Sequence, residues 1–594
     1  MVSVKMTVAE AIVAYLAAQD SEQLDGTVAP AFGGVFAIFG HGNVAGVGQA
    51  LAAKQDRLPT FRGHNEQSMT HAAVAFAKAT FRRRMMATTT SIGPGATNLV
   101  TAAATAHANR LPVLLLPGDV FATRAPDPVL QQIEDFGAPG VTANDCLAPV
   151  SRYFDRITRP EQILAALPAA METLMDPVRC GPATLALPQD VQVEAVELPA
   201  SFLWRRTWRL RRPAPDDWEL AEAIAKIGAS ACPLIVAGGG VLYAGATKRL
   251  VEFAERFGVP VAVTQAGKSA IPDDHPLAVG GIGVTGTAVA NDLAAKADLV
   301  LFVGTRLSDF TSASRTLFTR DDLVRVGLNV AAFDAVKHRT HPLVADADVG
   351  LAMLADGLEG WSASSKWQER LAAGSRAWEA AVAGVTAPSE GVPTDGVPTD
   401  AQVLGAVNAF ATQETTVVCA AGGLPGELHK LWRATEPGSY HVEYGYSCMG
   451  YEIAGGLGVK MARPEREVVV MVGDGSYLML NAEIVTSVAL AKKLIIVLLD
   501  NRGFGCINRL QQATGGAKFN NLLDEDVPRV DFAAHARAMG AVAEHVPSID
   551  ALPAALQRAR EADRTAVVVI ATDPERGTSA GGAWWDVPVS ENQR

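Results

Sequence analysis

Val468-Val-Val-Met-Val472-Gly473-Asp474-Gly475 and Leu494-Ile-Ile-Val-Leu-Leu499-Asp500-Asn501-Arg502-Gly503 are the stretches whose reading decides the fold. Each opens with a short, unbroken apolar run, as a parallel strand covered on both faces does. Asn481 to Lys493, between them, reads as a helix, so the unit is strand, loop, helix, strand. A crossover of the usual hand then brings both loops to the carboxyl ends of adjacent strands, where open parallel sheets bind ligands. Asp474 offers a carboxylate, Asn501 an amide oxygen and Gly503 a bare carbonyl. Three hard oxygens with room left for phosphate oxygens suit Mg²⁺, and the glycines let backbone approach a diphosphate closely. Read without a ligand, the same residues describe a helix cap at Asp474 and a turn at Asn501.

Working outward, the first third of the chain alternates strand-like runs (Val35 to Phe39, Met85 to Thr89, Val113 to Leu116) with helix-like ones (Thr7 to Ala18, Gln67 to Ala79, Ala96 to Ala108). That alternation predicts a parallel sheet covered on both faces. An Arg-rich segment, Arg205-Arg206 through Arg211-Arg212 with Trp204 and Trp208, reads as a solvated interdomain linker. A second α/β block opens at Leu234 to Gly240. A third begins near Ala401, after the tandem repeat Gly391-Val-Pro-Thr-Asp395 and Gly396-Val-Pro-Thr-Asp400, which reads as a linker. The tail carries Trp584 and Trp585, an apolar pair expected to dock.

Composition narrows the function classes. A net charge of -12 argues against nucleic acid as a partner. The 6 cysteines are scattered without a CxxC pair, which argues against a zinc site or a disulfide framework and fits a reducing compartment. No apolar stretch reaches the length of a membrane span, so a cytoplasmic, membrane-free protein is expected. Gly40-His-Gly42-Asn-Val-Ala45 fits a loose dinucleotide fingerprint, but no acidic residue ends a second strand at the distance a ribose contact requires.

The GDG of Gly473 to Gly475, followed about a helix and a strand later by Asn501, resembles the thiamine diphosphate motif, with Asp500 where the first of two asparagines usually stands. Ser91-Ile-Gly-Pro-Gly-Ala-Thr-Asn98 is similar to the GPGATN loop of the same enzymes. Over nearly its whole length the chain resembles the acetolactate synthase-like thiamine diphosphate enzymes. The resemblance implies an α/β fold of three doubly wound parallel-sheet domains. These are a pyrimidine-binding domain at 1–200, a central Rossmann-like domain at 214–365, and a diphosphate-binding domain at 401–575 with a tail at 576–594.

It also implies roles. Glu66, opening a helix after Arg62-Gly-His-Asn65, would meet N1′ of the cofactor's pyrimidine and relay a proton; a buried glutamate suits that task. Gly422, Gly423 and Leu424 would contact the diphosphate. Ser447 and Cys448 would present backbone to the pyrimidine, and Met449 would wedge the cofactor into its V shape. Asp474, Gly475, Ser476 and Asn501 complete the cofactor set, with Mg²⁺ held by Asp474, Asn501 and the Gly503 carbonyl. His41 is expected to be catalytic and substrate-facing, with Asn43, Gln67, Phe121 and Gln131 as further substrate contacts. Gly238-Gly-Gly240 and Gly304-Thr-Arg306 lie where some relatives bind flavin, although strand-end glycines are also ordinary turns and a flavin is not expected. The resemblance further implies a homodimer or homotetramer with Glu66 of one chain facing the Asp474 loop of another.

Within that family, Phe39 to Asn43, Phe121 to Gln132, Asn144-Asp145, Pro149 to Ile157 and Asn501 to Ile507 are similar to hydrolases that open cyclic 1,2-diones in inositol catabolism. An acetolactate synthase-like carboligase acting on 2-oxo acids is the alternative. A non-catalytic nucleotide-binding subunit is a rival of another class, against which Glu66, Asp474 and Asn501 speak.

Overall fold

The computed structural model describes residues 2–124, 127–387 and 396–589. Three six-stranded sheets, each parallel throughout, carry the chain. The first runs Thr60–Arg62, Phe32–Ala37, Met85–Thr90, Leu114–Asp119, Ala183–Pro188, Tyr153–Arg156. The central one runs Ala278–Gly281, Val261–Val263, Pro233–Ala237, Leu299–Val303, Val324–Asn329, His341–Val344. The third runs Tyr440–Val442, Thr415–Cys419, Glu467–Gly473, Ile495–Asp500, Ala566–Ala571, Val542–Val546. The first and third therefore share one strand order, and the central sheet has the order of a dinucleotide fold. Continuous apolar runs form these strands because both faces are covered: Val468 to Val472 and Leu494 to Leu499 are buried throughout.

By its internal contacts the chain forms two compact units, one of 1–211 with 445–465 and 480–494, the other of 212–444 with 466–479 and 495–594. In the first, helix Glu66–Ala79 packs along helix Tyr451–Ala462. Gly458 allows it, since any side chain there would run into the Ala72 carbonyl. His71 lies in this packing, fully buried, with Nε2 3.6 Å from Cys448 Sγ and its ring edge-on to Tyr451. Burial pushes its pKa down to about 3.

In the second unit, His429 is equally buried, bonded through Nδ1 to the Thr285 hydroxyl (2.9 Å) and through Nε2 to the Val263 carbonyl (3.1 Å). Burial, and then the charge of Lys268, hold its pKa down to about 3. The glycines at 238–240 and 304 serve a close approach of two strand-end loops: Gly240 N donates to Gly304 O at 3.0 Å, and a side chain at either position would strike the other's backbone.

Several sequence expectations change. Asn481 to Lys493 is helical only over Glu483–Ala489, and a short helix, Asp474–Met479, begins at the GDG itself. Ala96 to Ala108 divides into Pro94–Thr97 and Val100–Asn109. The Arg-rich segment is no free linker: Arg206–Trp208 is a strand paired with Gln19 to Ser21. Arg205 and Arg57 both bind the buried Asp20, Arg209 binds Glu22, and Trp208 Nε1 donates to Gln19. The second repeat also packs, with Thr399 capping helix Asp400–Phe410 and Asp400 buried; the first repeat lies outside the described residues. Of the two tail tryptophans, Trp585 docks against Phe310 (ring centroids 5.1 Å apart), while Trp584 stays 61% exposed.

Candidate active site

In the second unit the two key loops leave the carboxyl ends of neighbouring parallel strands, Glu467–Gly473 and Ile495–Asp500. Asp474 is buried, and its pKa is pushed up to about 7 by desolvation and the neighbouring Asp500, with backbone N–H groups of Asn501, Gly475 and Gly503 pulling the other way. A bound cation would reverse that rise. One terminal atom of the Asn501 amide lies 3.2 Å from an Asp474 oxygen and 2.8 Å from the Gly503 carbonyl oxygen. Turned one way, the amide donates to both; turned the other, it brings three oxygens together as a small hard cation requires. Asp474, Asn501 and Gly503 thus offer hard oxygens of the kind that suit Mg²⁺.

The residues expected to meet a diphosphate follow the adjacent strand of the same sheet. Strand Thr415–Cys419 pairs with Glu467–Gly473. A side-chain carbon at Gly422 (φ +85°) or Gly473 would meet nothing within 4 Å. Leu424 begins helix Leu424–Leu431, with Pro425 in its first turn. Gly475 is held bare for a different reason, because a side chain there would strike Phe504. Ser476 is buried behind it. Open space over bare backbone beside an oxygen triad fits a metal-bound diphosphate.

The first unit holds the other set. Asn65 caps helix Glu66–Ala79 by accepting from Ser68 N, which fixes Glu66 in the first turn. Glu66 is half-buried, not buried as the sequence reading expected, and Asn98 Nδ2 donates to its Oε2 at 3.0 Å. Gly95 leaves room for it: a side-chain carbon there would sit 3.3 Å from Glu66 Oε1. Ser447 (φ +53°) and Gly450 (φ +86°) are both left-handed, and between them Cys448 is buried and Met449 half-buried at the mouth of helix Tyr451–Ala462. Ser447 itself is exposed.

The expected substrate contacts divide. His41 is exposed at the loop after strand Phe32–Ala37. Asn43 is 1% exposed and committed internally: its oxygen accepts from Gly40 N, and its nitrogen donates to Ile38 O and Thr89 Oγ1. It braces the loop through these bonds. Gln67 Nε2 is turned toward His71 Nε2, at 3.2 Å. Phe121 lies under the Arg124 guanidinium, 3.9 Å from ring centre to charge. Gln131 (φ +61°) places its backbone carbonyl against Gly93, in the 91–98 loop.

Three family models match the chain: the N-terminal thiamine pyrophosphate-binding domain over residues 6–138, the central domain over 220–354, and the C-terminal thiamine pyrophosphate-binding domain over 420–570. The chain belongs to the thiamine pyrophosphate enzyme family. It is also 43% identical to the 3D-(3,5/4)-trihydroxycyclohexane-1,2-dione hydrolase of Bacillus anthracis, over 100% of this chain and 96% of that protein. It is 43% identical to the hydrolase of the same name from Shouchella clausii, over 99% of this chain and 96% of the relative. Among the described residues no helix is long and apolar enough to cross a membrane.

Proposed function

We propose that this chain is a thiamine diphosphate- and Mg²⁺-dependent hydrolase that opens 3D-(3,5/4)-trihydroxycyclohexane-1,2-dione to 5-deoxy-D-glucuronate in inositol degradation. The observation that carries the reading is the full-length likeness to hydrolases named for this dione, with Glu66, Asp474, Asn501 and Gly503 all in place. The balance of the reaction agrees. Water adds across the bond between two adjacent carbonyls, one carbon leaves as a carboxylate and the other as an aldehyde, and no electrons are left over. Thiamine diphosphate, when bound, supplies the nucleophilic carbon that makes this cleavage accessible. The chain's own residues hold and aim it. Asp474, Asn501 and the Gly503 carbonyl would carry Mg²⁺, Gly422 to Leu424 the diphosphate, Ser447 to Met449 the ring segment, and the Glu66 carboxylate would hold and pass the proton at N1′. Six free thiols support a cytoplasmic location.

The test compares acid release from the dione with acetolactate formation from pyruvate. The dione is expected to be the strongly preferred substrate, because a site built to bond several hydroxyls rejects an analogue that leaves those groups unpaired. Efficient acetolactate formation with the dione untouched would replace the hydrolase by a carboligase.

We further propose that the working site joins Glu66 of one chain to the Asp474 loop of a second copy. The support is the family resemblance. Mixing inactive Glu66→Gln chains with inactive Asp474→Ala chains is then expected to restore part of the activity, since one of the two sites in a mixed dimer is intact. No recovery after demonstrated subunit exchange would show that each site is built from one chain.

A further inference from the structure

Residues 302 to 339, all in the second unit, enclose a cavity of about 310 Å³, at the small end of the range that ligand sites occupy. Its place follows from the topology. Strands Leu299–Val303 and Val324–Asn329 are parallel neighbours, so residues 304 to 323 must run back along the sheet from the carboxyl end of one to the amino end of the other. The cavity is lined by this return. Phe302, Leu307, Leu317 and Phe318 give it an apolar floor continuous with the core of the central sheet. Arg325 enters from the second residue of its strand, and Arg339 from two residues ahead of strand His341–Val344. The cavity therefore reaches toward the amino ends of these strands. That is the edge opposite the one where Gly240 meets Gly304, and where sheets of this order bind dinucleotides.

Above that floor the lining is basic. The chain carries a net charge of -12, yet the cavity gathers Arg315, Arg320, Arg325, His338 and Arg339 against Asp321 alone. Arg320 is paired with Asp322. Arg325 donates only to the carbonyls of Leu323, Phe318 and Arg320, which leave its charge uncancelled. Arg315, His338 and Arg339 make no side-chain hydrogen bond or ion pair among the described residues. All three are left-handed, with φ +65°, +58° and +59°, a backbone that persists where the surrounding structure over-determines it and that clusters at ligand sites. One solvated arginine on a surface needs no explanation. Several unpaired cations around one apolar hollow repel each other, and an anion between them relieves that repulsion. A guanidinium fork meets phosphate oxygens two at a time, and a phosphate monoester is close to doubly charged at neutral pH, as more than one cation requires.

We infer that this cavity binds a small phosphate monoester, its phosphate held by Arg315, His338 and Arg339 and its apolar part laid on Phe302 and Phe318. The site stands independently of the reaction proposed above, and it shares no residue with the set assigned to thiamine diphosphate.

The experiment titrates phenyl phosphate into the full-length holoenzyme, saturated with Mg²⁺ and thiamine diphosphate so that the cofactor site is closed to the probe. Calorimetry is expected to show saturable binding that weakens as ionic strength rises. Phenol and inorganic phosphate, each half of the match, are expected to bind far more weakly. Arg315→Asn and Arg339→Asn should each weaken phenyl phosphate binding by about 10-fold, as loss of a charge-assisted hydrogen bond does, and the double variant should abolish it. Asparagine tolerates left-handed backbone, and both arginines are exposed, so melting temperature and cofactor affinity should match wild type. Wild type supplies a second readout that needs no substitution: phenyl phosphate should slow the labelling of Arg315 and Arg339 by phenylglyoxal, followed by peptide mass analysis. No binding to wild type overturns the inference, and so does binding that neither the single variants nor the double variant alters. Phenol binding as tightly would leave only an apolar hollow, and inorganic phosphate binding as tightly would leave the floor without a role; either result overturns the phosphate monoester. Binding seen only when thiamine diphosphate is left out would place the probe in the cofactor site and overturn it too.

Discussion

Glu66→Gln is expected to leave a folded, cofactor-binding protein that has lost nearly all turnover, by about 10²- to 10⁴-fold, the usual worth of a positioned acid–base group. The substitution keeps shape and removes one proton site. Gln can occupy the same first-turn position behind the Asn65 cap, and its side-chain oxygen can still accept from Asn98 Nδ2, which now meets Glu66 Oε2 at 3.0 Å. What it cannot do is exchange a proton with a ring nitrogen at neutral pH. Circular dichroism and cofactor calorimetry should match wild type while dione turnover collapses. Turnover within a few-fold of wild type would mean that Glu66 is only a first-turn acid favoured by the helix dipole.

Asp474→Ala is expected to weaken Mg²⁺ and thiamine diphosphate binding together, by about 100-fold or more, given that even residues behind metal ligands cost 10- to 100-fold. The carboxylate is the only charged member of the oxygen triad; Asn501 and the Gly503 carbonyl are neutral. Its removal also strips a partner from the backbone N–H groups that converge on it. Asp474→Asn separates the two effects, keeping shape without charge. Calorimetry should show cofactor affinity lost in both variants, and chelation of Mg²⁺ from wild type should mimic them. Unchanged cofactor binding in Asp474→Ala would place the metal elsewhere.

Much of this was legible in the sequence, for a physical reason. Strands of a doubly covered parallel sheet are apolar on both faces, so Val468 to Val472 and Leu494 to Leu499 announce themselves, and the residues that end them then fall at the ligand-binding edge. Glu66 was singled out only through the resemblance of the GDG and the Ser91 to Asn98 loop to the family; its own surroundings read equally as a capped first turn. What escaped depended on contacts distant along the chain. Asn43 is a polar residue in a loop, and only its bond to Thr89, 46 residues away, makes it a brace. The Arg-rich segment has the composition of a linker, and its acidic partner Asp20 lies 185 residues upstream of Arg205. The break between Thr97 and Val100 lies in an alanine-rich stretch without a proline or glycine at the break; there Asn98 reaches Glu66 instead of continuing a helix.

The two buried histidines give the enzyme an acid limit. His71 and His429, one in each compact unit, are held near pKa 3, whereas an unfolded histidine takes up its proton near 6.5. Between those values the unfolded chain binds more protons than the folded one. The stability each contributes is therefore complete above about pH 6.5 and is lost as the pH falls toward 3. Asp400, pushed up to about 6 by burial, runs in the opposite direction and offsets part of the loss. Asp474 does the same until a cation takes its charge. On the proposed reaction every turnover sets free a carboxylic acid, so in weakly buffered surroundings the catalyst would be undermined by its own yield. Each compact unit carries one of these histidines, so acidification would weaken both units.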